Sequence, residues 1–565
     1  MTRALALLVA FASACSGHGP QQVGAQPSWR HGTTAGTEAP KVVAPVTFAP
    51  SSEAAVHYNE RITAPPHTPL GDAALAATRE AAGKAGMPAP VADARLFKAC
   101  SELAEIVPEE GIVGYSLVEF ALQRNGIIEP SPHLLVVWGD VDAADQIVEQ
   151  IKPRLAEILA DGANARVGIG WAKRAADGTG AIVFALQGSG VSTNPIPRAL
   201  PAGGAVTVDA VVDAHYKEPE VFVTRESGAT ERLALETGHS GGFKTKVECG
   251  KHIGRQQVEI TASDQQGSTV LANFPVWCGA EPPASMTIAA THDDDTVVAA
   301  DEAEKRLLAL MNRDRGAANL PSLVWDDRVA DVARKHSEEM RRTKIVAHIS
   351  PTTGSAADRV KAANIKTAVV LENVARAYGV GEAHEGLMNS PGHRANLMSA
   401  AATHVGIGVV YGDDVSGRRE MFVTQVFIRV PPKIDPAQAA ELVRSRIEKV
   451  RRIGVSAVLQ STAQQLADGL AAGKSRDTLW PRARKQLDAL GNQYARVGSV
   501  ITAVAELDTV DGKELVGEYL PDDIGVGIAQ GTHPEIGENA VWIVVLMAER
   551  NPPASRPPPP SAGPR

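Results

Sequence analysis

Apolar and polar positions change period several times along this chain, and each change marks an element. Between about 203 and 279, short alternating runs (AVTVDAVV, EVFVTRE, GFKTKVEC, QQVEITAS, STVLANFPVW) are separated by Gly, Asn, Asp and Ser. Period-two alternation at that spacing predicts strands, and several such strands predict a small immunoglobulin-like β-sandwich over 200–282. Elsewhere helical periods lead into Gly-punctuated hairpins. ARVGIGWAKRAADGTGAIVFALQ (165–187), HVGIGVVYGDDVSGRREMFVTQVF (404–427) and DIGVGIAQGTHPEIGENAVWIVVLM (523–547) each read as a strand, a polar turn and a second apolar strand. Met87-Pro88 before ADARLFKACSEL parallels Leu320-Pro321 before DDRVADVARKHS, and LQSTAQQLADGL (459–470) is a looser third match. Self-similarity of this kind predicts three copies of one α/β unit, over 71–190, 296–431 and 434–550, with the sandwich between the first and second. In the middle copy Val329, Val332, Ala333, His336 and Met340 form one helical stripe, so His336 is expected in the core, bonded to a neighbour. Gly406 and Gly408 are expected to admit close packing or a bulge.

The ends of the chain carry a different signal. Residues 1–14, MTRALALLVAFASA, have one basic residue, a short apolar stretch and small residues, which reads as a signal peptide. Ala12-Ser13-Ala14-Cys15 resembles a bacterial lipobox, with Cys15 as the lipidated residue, and an ordinary cleavage site would cut at the same bond. Residues 15–70, rich in Gly, Pro, Ser, Thr and Gln, read as a disordered tether, and 551–565 as a Pro-rich disordered tail. The location expected is the cell envelope, as a membrane-anchored lipoprotein or else as a secreted protein. Of the 4 cysteines, Cys249 and Cys278 lie in one strand-rich region and are expected to form a disulfide, while Cys100 reads as a small buried hydrophobe. With 56 basic and 65 acidic residues the net charge is −9, and aromatics are only 4%, which argues against nucleic acid as a partner. No apolar run approaches the ~20 residues of a membrane span.

The middle unit holds the candidate chemistry: the helix ARKHSEEM, His348-Ile349-Ser350-Pro351, Glu372-Asn373-Val374-Ala375, the NSPGHRANLM stretch from Asn389, and Thr424-Gln425-Val426-Phe427. In that order and spacing they resemble the CAP superfamily (cysteine-rich secretory, antigen 5 and pathogenesis-related 1 proteins, with an SCP-like domain), in its bacterial secreted branch. The resemblance implies a three-layer α/β/α sandwich over 296–431 with an open cavity lined by His and Glu, and makes 71–190 and 434–550 degenerate CAP-like units. The overall class is therefore α+β multidomain. By the same resemblance His348 and Glu372 match two members of the family's cavity tetrad, and His393 matches the SPGHR histidine and faces the cavity. Ser390 stands near the tetrad's helical Glu and Phe422 near its strand His, so the full two-His, two-Glu set is not reproduced. Asn373 is placed at the cavity beside Glu372, orienting a turn. Glu382, His384 and Glu385 are substitute ligand candidates on the preceding helix.

Two imidazoles and a carboxylate, His348, His393 and Glu372, suit a divalent ion such as zinc, or a general acid/base pair. No nucleophile with an identifiable partner accompanies them: there is no GxSxG elbow, no HExxH and no cysteine in the middle unit. The function expected is therefore binding of a small apolar, peptide or envelope ligand in the His/Glu-lined cavity. The alternatives are a metal-dependent hydrolase or peptidase in the same cavity, and a non-catalytic interaction scaffold. The residues establish no cofactor and offer a divalent metal such as zinc as the candidate, and the membrane is a partner through the lipid anchor alone. The β-sandwich reads as a spacer in preference to a recognition module for a protein partner.

Overall fold

The computed structural model describes residues 46–107, 115–160, 165–175, 178–238, 241–288, 299–415 and 418–551. The expected signal peptide, Cys15, the first part of the tether and all but the first residue of the expected tail, Asn551, lie outside them. Two compact units are present, Met1–Arg359 with Leu371–Phe427, and Val360–Val370 with Ile428–Arg565. No helix among the described residues is long and apolar enough to cross a membrane.

The tether expected over 15–70 is corrected from Val46 onward. Strand β1 (Val46–Phe48) and strand β2 (His57–Tyr58) are both paired, and Phe48 and Tyr58 are buried. Two aromatic anchors in a polar stretch give it enough apolar area to order. Helix α1 (Pro69–Ala85) then starts at Thr68, whose side chain accepts the amide of Gly71. The first α/β segment continues with β3 (Val91–Ala92), α2 (Ala94–Ala104), α3 (Tyr115–Arg124), β4 (His133–Asp140), α4 (Ala144–Ala160), β5 (Arg166–Lys173) and β6 (Thr179–Gln187). Its sheet runs β3-β5-β6-β4, with β3 parallel to β5 and the rest antiparallel. Alternation along β6 fills both faces. Ile182, Phe184 and Leu186 pack with α1 and α4, while Ala181, Val183 and Ala185 pack with α2 and α3, so the sheet lies between two helical layers.

The sandwich comprises β7 (Val191–Thr193), β8 (Ile196–Pro197), β9 (Ala199–Leu200), β10 (Ala205–Val212), β11 (Lys217–Thr224), β12 (Thr230–Arg232), β13 (Glu236–Thr237), β14 (Gly242–Glu248), β15 (Gly254–Asp264) and β16 (Gly267–Cys278). Two sheets, β13-β14-β10-β7 and β12-β11-β15-β16-β9, enclose a core that includes Val208, Val221, Phe243, Val258, Ile260 and Phe274. The Cys249–Cys278 disulfide joins the end of β14 to the end of β16 and so ties one sheet to the other. Cys100 is a buried free thiol. Strand β17 (Met286–Ile288) pairs with β1.

The middle segment holds α5 (Ala300–Ala317), β18 (Val324–Trp325), α6 (Asp327–Thr343), α7 (Ala356–Ala362), β19 (Val370–Ala377), α8 (Val380–Asn389), α9 (Pro391–Leu397), β20 (His404–Val415) and β21 (Arg418–Ile428). Its sheet order is β18-β20-β21-β19. The last segment has α10 (Pro436–Glu448), β22 (Gly454–Val455), α11 (Ala457–Ala471), α12 (Arg476–Asp488), β23 (Tyr494–Val504), α13 (Gly512–Val516), β24 (Asp523–His533) and β25 (Gly537–Arg550), in the order β22-β24-β25-β23. All three sheets thus share one plan: a short parallel edge strand, a central hairpin and a further strand beside it. The glycine pairs of the hairpins serve one purpose. A Cβ at Gly170, Gly408 or Gly527 would come within 2.0, 2.2 and 2.2 Å of backbone in α2, α6 and α11 respectively. Helix and strand backbones touch there, and no side chain larger than hydrogen fits.

Candidate functional site

The position of His348 is fixed by α6 and the loop after it. Asp326 caps α6 by accepting the amides of Arg328 and Val329, and its buried stripe carries His336. His336 Nε2 donates to the Ala347 carbonyl at 2.8 Å, which holds the chain one residue before His348. Beyond it, Ser350 and Gly354 exchange backbone hydrogen bonds, and Ser350 Oγ donates to Glu339 at 2.7 Å.

Glu372, on β19, lies beside His348. His348 Nδ1 donates to Glu372 Oε1 at 2.9 Å, and Arg359 Nη2 donates to Glu372 Oε2. Arg359 also reaches the carbonyls of His348 and Gly354. Burial by itself would raise the Glu372 pKa, but the Arg359 guanidinium, the His348 hydrogen bond and the fields of His336 and His348 outweigh it and hold it down at about 2. Glu372 is thus a fixed carboxylate with both oxygens engaged. His348 keeps a buried Nε2 that has no hydrogen-bond partner among the described residues.

The remaining candidates fall elsewhere. Ser390 caps α9 indirectly: its Oγ donates to Glu259 Oε2 at 2.6 Å, and Glu259 Oε1 accepts the Gly392 amide at 2.7 Å. His393 Nδ1 donates to Ser390 Oγ at 2.8 Å, giving a line from imidazole to hydroxyl to a carboxylate of the sandwich strand β15. Ser390 and His393 both line a cavity of about 70 Å³, with Val270, Val374, Ala383 and Leu387 as its apolar wall. Asn373 does not line it. Fully buried, Asn373 donates to the His393 carbonyl and to Gln425, and it accepts from Asn396, so it ties β19 to α9 and β21. His348 and Glu372 do not line the cavity either. Of the substitute ligands, His384 is bonded to Asp314 on α5, Glu385 accepts from Ser116, and Glu382 lines the cavity.

The zinc set His348, Glu372 and His393 is corrected. Among the described residues no three His, Cys, Asp or Glu side chains are grouped so that they could hold a metal ion. Glu372 is paired with Arg359, whose charge stands where a cation would, and His393 is turned toward Ser390. The residues present do not fit a zinc centre.

The sandwich is no spacer. The turn between β15 and β16 covers the His348 loop, where the Gln266 carbonyl accepts the amides of His348 at 3.1 Å and Ile349 at 2.9 Å. Gly267, at φ +107°, lies so close that a Cβ would meet that of His348 at 2.9 Å. Nearby, Asn273 donates to the Asn389 carbonyl and Arg394 to the Gly228 carbonyl. Arg359 and Glu259 were invisible from the sequence. Arg359 sits in an unremarkable polar helix, and the one available hint for Glu259 was a carboxylate between Val258 and Ile260 in a strand buried on both faces.

Comparison with known proteins places this geometry. Residues 308–427 match the model of the cysteine-rich secretory protein family, CAP. The uncharacterized membrane protein YlbC of Bacillus subtilis (strain 168) is 39% identical over 107 residues, 19% of this chain and 31% of that protein. The uncharacterized protein YkwD of the same organism is 34% identical over 108 residues, 19% of this chain and 42% of that protein. The chain therefore spans less than half the length of these curated relatives. An extracellular protein containing a SCP domain from Bacillus anthracis str. Ames is similar at 23% identity and a TM-score of 0.21, over 35% of this chain and 67% of that one.

Proposed function

We propose that this chain, whose residues 308–427 match the model of the cysteine-rich secretory protein (CAP) family, is an exported envelope protein whose CAP domain binds a small apolar or peptide ligand without turning it over. The observation that carries this reading is the state of Glu372. A carboxylate engaged by Arg359 and His348, with its pKa held at about 2, is a poor proton acceptor near neutral pH. The place left for a ligand is the cavity beside His393, where the apolar wall of Val270, Val374, Ala383 and Leu387 meets polar groups that include Ser390, His393, Arg376 and Glu382. Export and lipidation at Cys15 rest on the leader pattern alone. The first and last α/β segments, with the same sheet plan and glycine pairs, are taken as copies that keep the fold and have lost the site.

The test is titration of the full chain with N-phenyl-1-naphthylamine, a neutral apolar fluorophore, alongside Leu387→Trp, which fills the cavity. Saturable fluorescence enhancement that Leu387→Trp abolishes supports the binding reading. Zinc-stimulated hydrolysis of casein that is lost in Glu372→Gln would overturn it.

A further inference from the structure

We propose a second binding site, between α3 and the β-sandwich, that takes a monoanionic carboxylate carried on an apolar or aromatic body. It does not rest on the function proposed for the CAP domain. The site is a cavity of about 280 Å³ whose wall includes Arg198, Arg255, Tyr115, Phe120, Pro275 and Trp277.

Two guanidiniums mark it. Arg255 lies near the start of β15, opposite Trp277 on β16, and is partly buried. Its Nη2 donates to Gln257 at 2.6 Å, and among the described residues no carboxylate pairs with it. Gln257 is itself held by Asn273 at 2.6 Å, so this wall is rigid. Burial lowers the Arg255 pKa, as expected of a cation taken out of water with its counter-charges kept at a distance. Arg198 is 6% exposed, lies over the Tyr58 ring, and gives one N–H to the Ala55 carbonyl, while its buried Nε has no acceptor among the described residues. Arg124, on the same wall, shows the ordinary solution: it is paired with Glu102 and bonded to backbone carbonyls.

Buried charge without a partner is costly, and a planar guanidinium fork matches a carboxylate better than any other common anion of single charge. Two acids limit the charge the site accepts. Glu119 lines the cavity, accepts from Ser131 and Gln123, and is pushed by burial up to about 7. Glu385 stands exposed at the rim, bonded to Ser116. A dianion would meet both, whereas a single carboxylate faces the guanidiniums with its apolar body against Phe120, Pro275 and Trp277.

The experiment is calorimetric titration of the full chain with 3-phenylpropionate and, separately, with inorganic phosphate at pH 7, for the wild type, Arg255→Gln and Arg255→Lys. Saturable 3-phenylpropionate binding is expected, weakened roughly tenfold or more in Arg255→Gln and less in Arg255→Lys, which keeps the charge. Melting curves accompany each variant, and the ligand should raise the Tm of the wild type while leaving that of Arg255→Gln unmoved. Absence of saturation at tens of millimolar, or equal affinity in wild type and both variants, overturns the site. Phosphate binding more tightly than the carboxylate overturns the ligand class.

Discussion

Two carboxylates in this protein are displaced from the ordinary range in opposite directions, and each leaves a signature in the pH dependence of stability. Glu372 has its pKa lowered from 4.5 to about 2, because Arg359 and His348 overcome the effect of burial. Its contribution is complete above pH 4.5 and fades as pH falls toward 2, amounting to something on the order of 3 kcal/mol. Glu119 is raised from 4.5 to about 7 by burial, against the hydrogen bonds of Ser131 and Gln123. The unfolded chain loses that proton first, so stability falls as pH rises from 4.5 to 7 and is flat beyond. Denaturation across this range should therefore show Glu119→Gln removing the neutral-side decline. Glu372→Gln should instead destabilise by about 3–5 kcal/mol at neutral pH, since Arg359 is left as an unpaired buried charge. Equal stability of Glu372→Gln and wild type at pH 7 would refute the locked pair.

At the level of elements, one device recurs in all three α/β segments: a helix laid directly on the glycines of a strand. Gly408→Ala would push a methyl group against the amide of Arg334 in α6, with nothing flexible to yield. A loss of more than about 3 kcal/mol is expected by urea denaturation, against tolerance at Gly316, where a Cβ meets nothing. Helix α9 depends on a residue from outside its own segment. Glu259→Ala removes the acceptor of both Ser390 Oγ and the Gly392 amide, and should cost about 1–3 kcal/mol and release His393 from its fixed rotamer. The His393 ring resonances in NMR report that release directly. These examples divide what a sequence discloses from what it conceals. Glycine pairs, alternating strands and the helical stripe of His336 are local and periodic, and so were readable. Glu259 acts on residues more than a hundred positions away, and Arg359 reaches Glu372 across a loop and a turn. Neither pairing leaves a period or spacing that can be read along the chain. The same blindness left Val46–Tyr58 as a tether when Phe48 and Tyr58 pin it down.

At the largest scale the sandwich and the CAP domain are one assembly within the first unit. The β15–β16 turn lies on the His348 loop, and the Cys249–Cys278 bridge anchors the far end of the same hairpin. Replacing both cysteines by alanine should cost about 2–5 kcal/mol. It should also speed hydrogen exchange at the amides of His348 and Ile349, which donate to Gln266. Unchanged exchange would mean that the turn keeps its seat without the bridge. The cover carries a practical consequence for how this protein is handled. Cutting out the CAP domain alone would bare the His348 loop, leave two backbone amides to water and strip α9 of its acidic cap. Binding or activity measured on such a fragment would belong to a surface that the intact polypeptide never offers, and inactivity in the intact polypeptide would not contradict it.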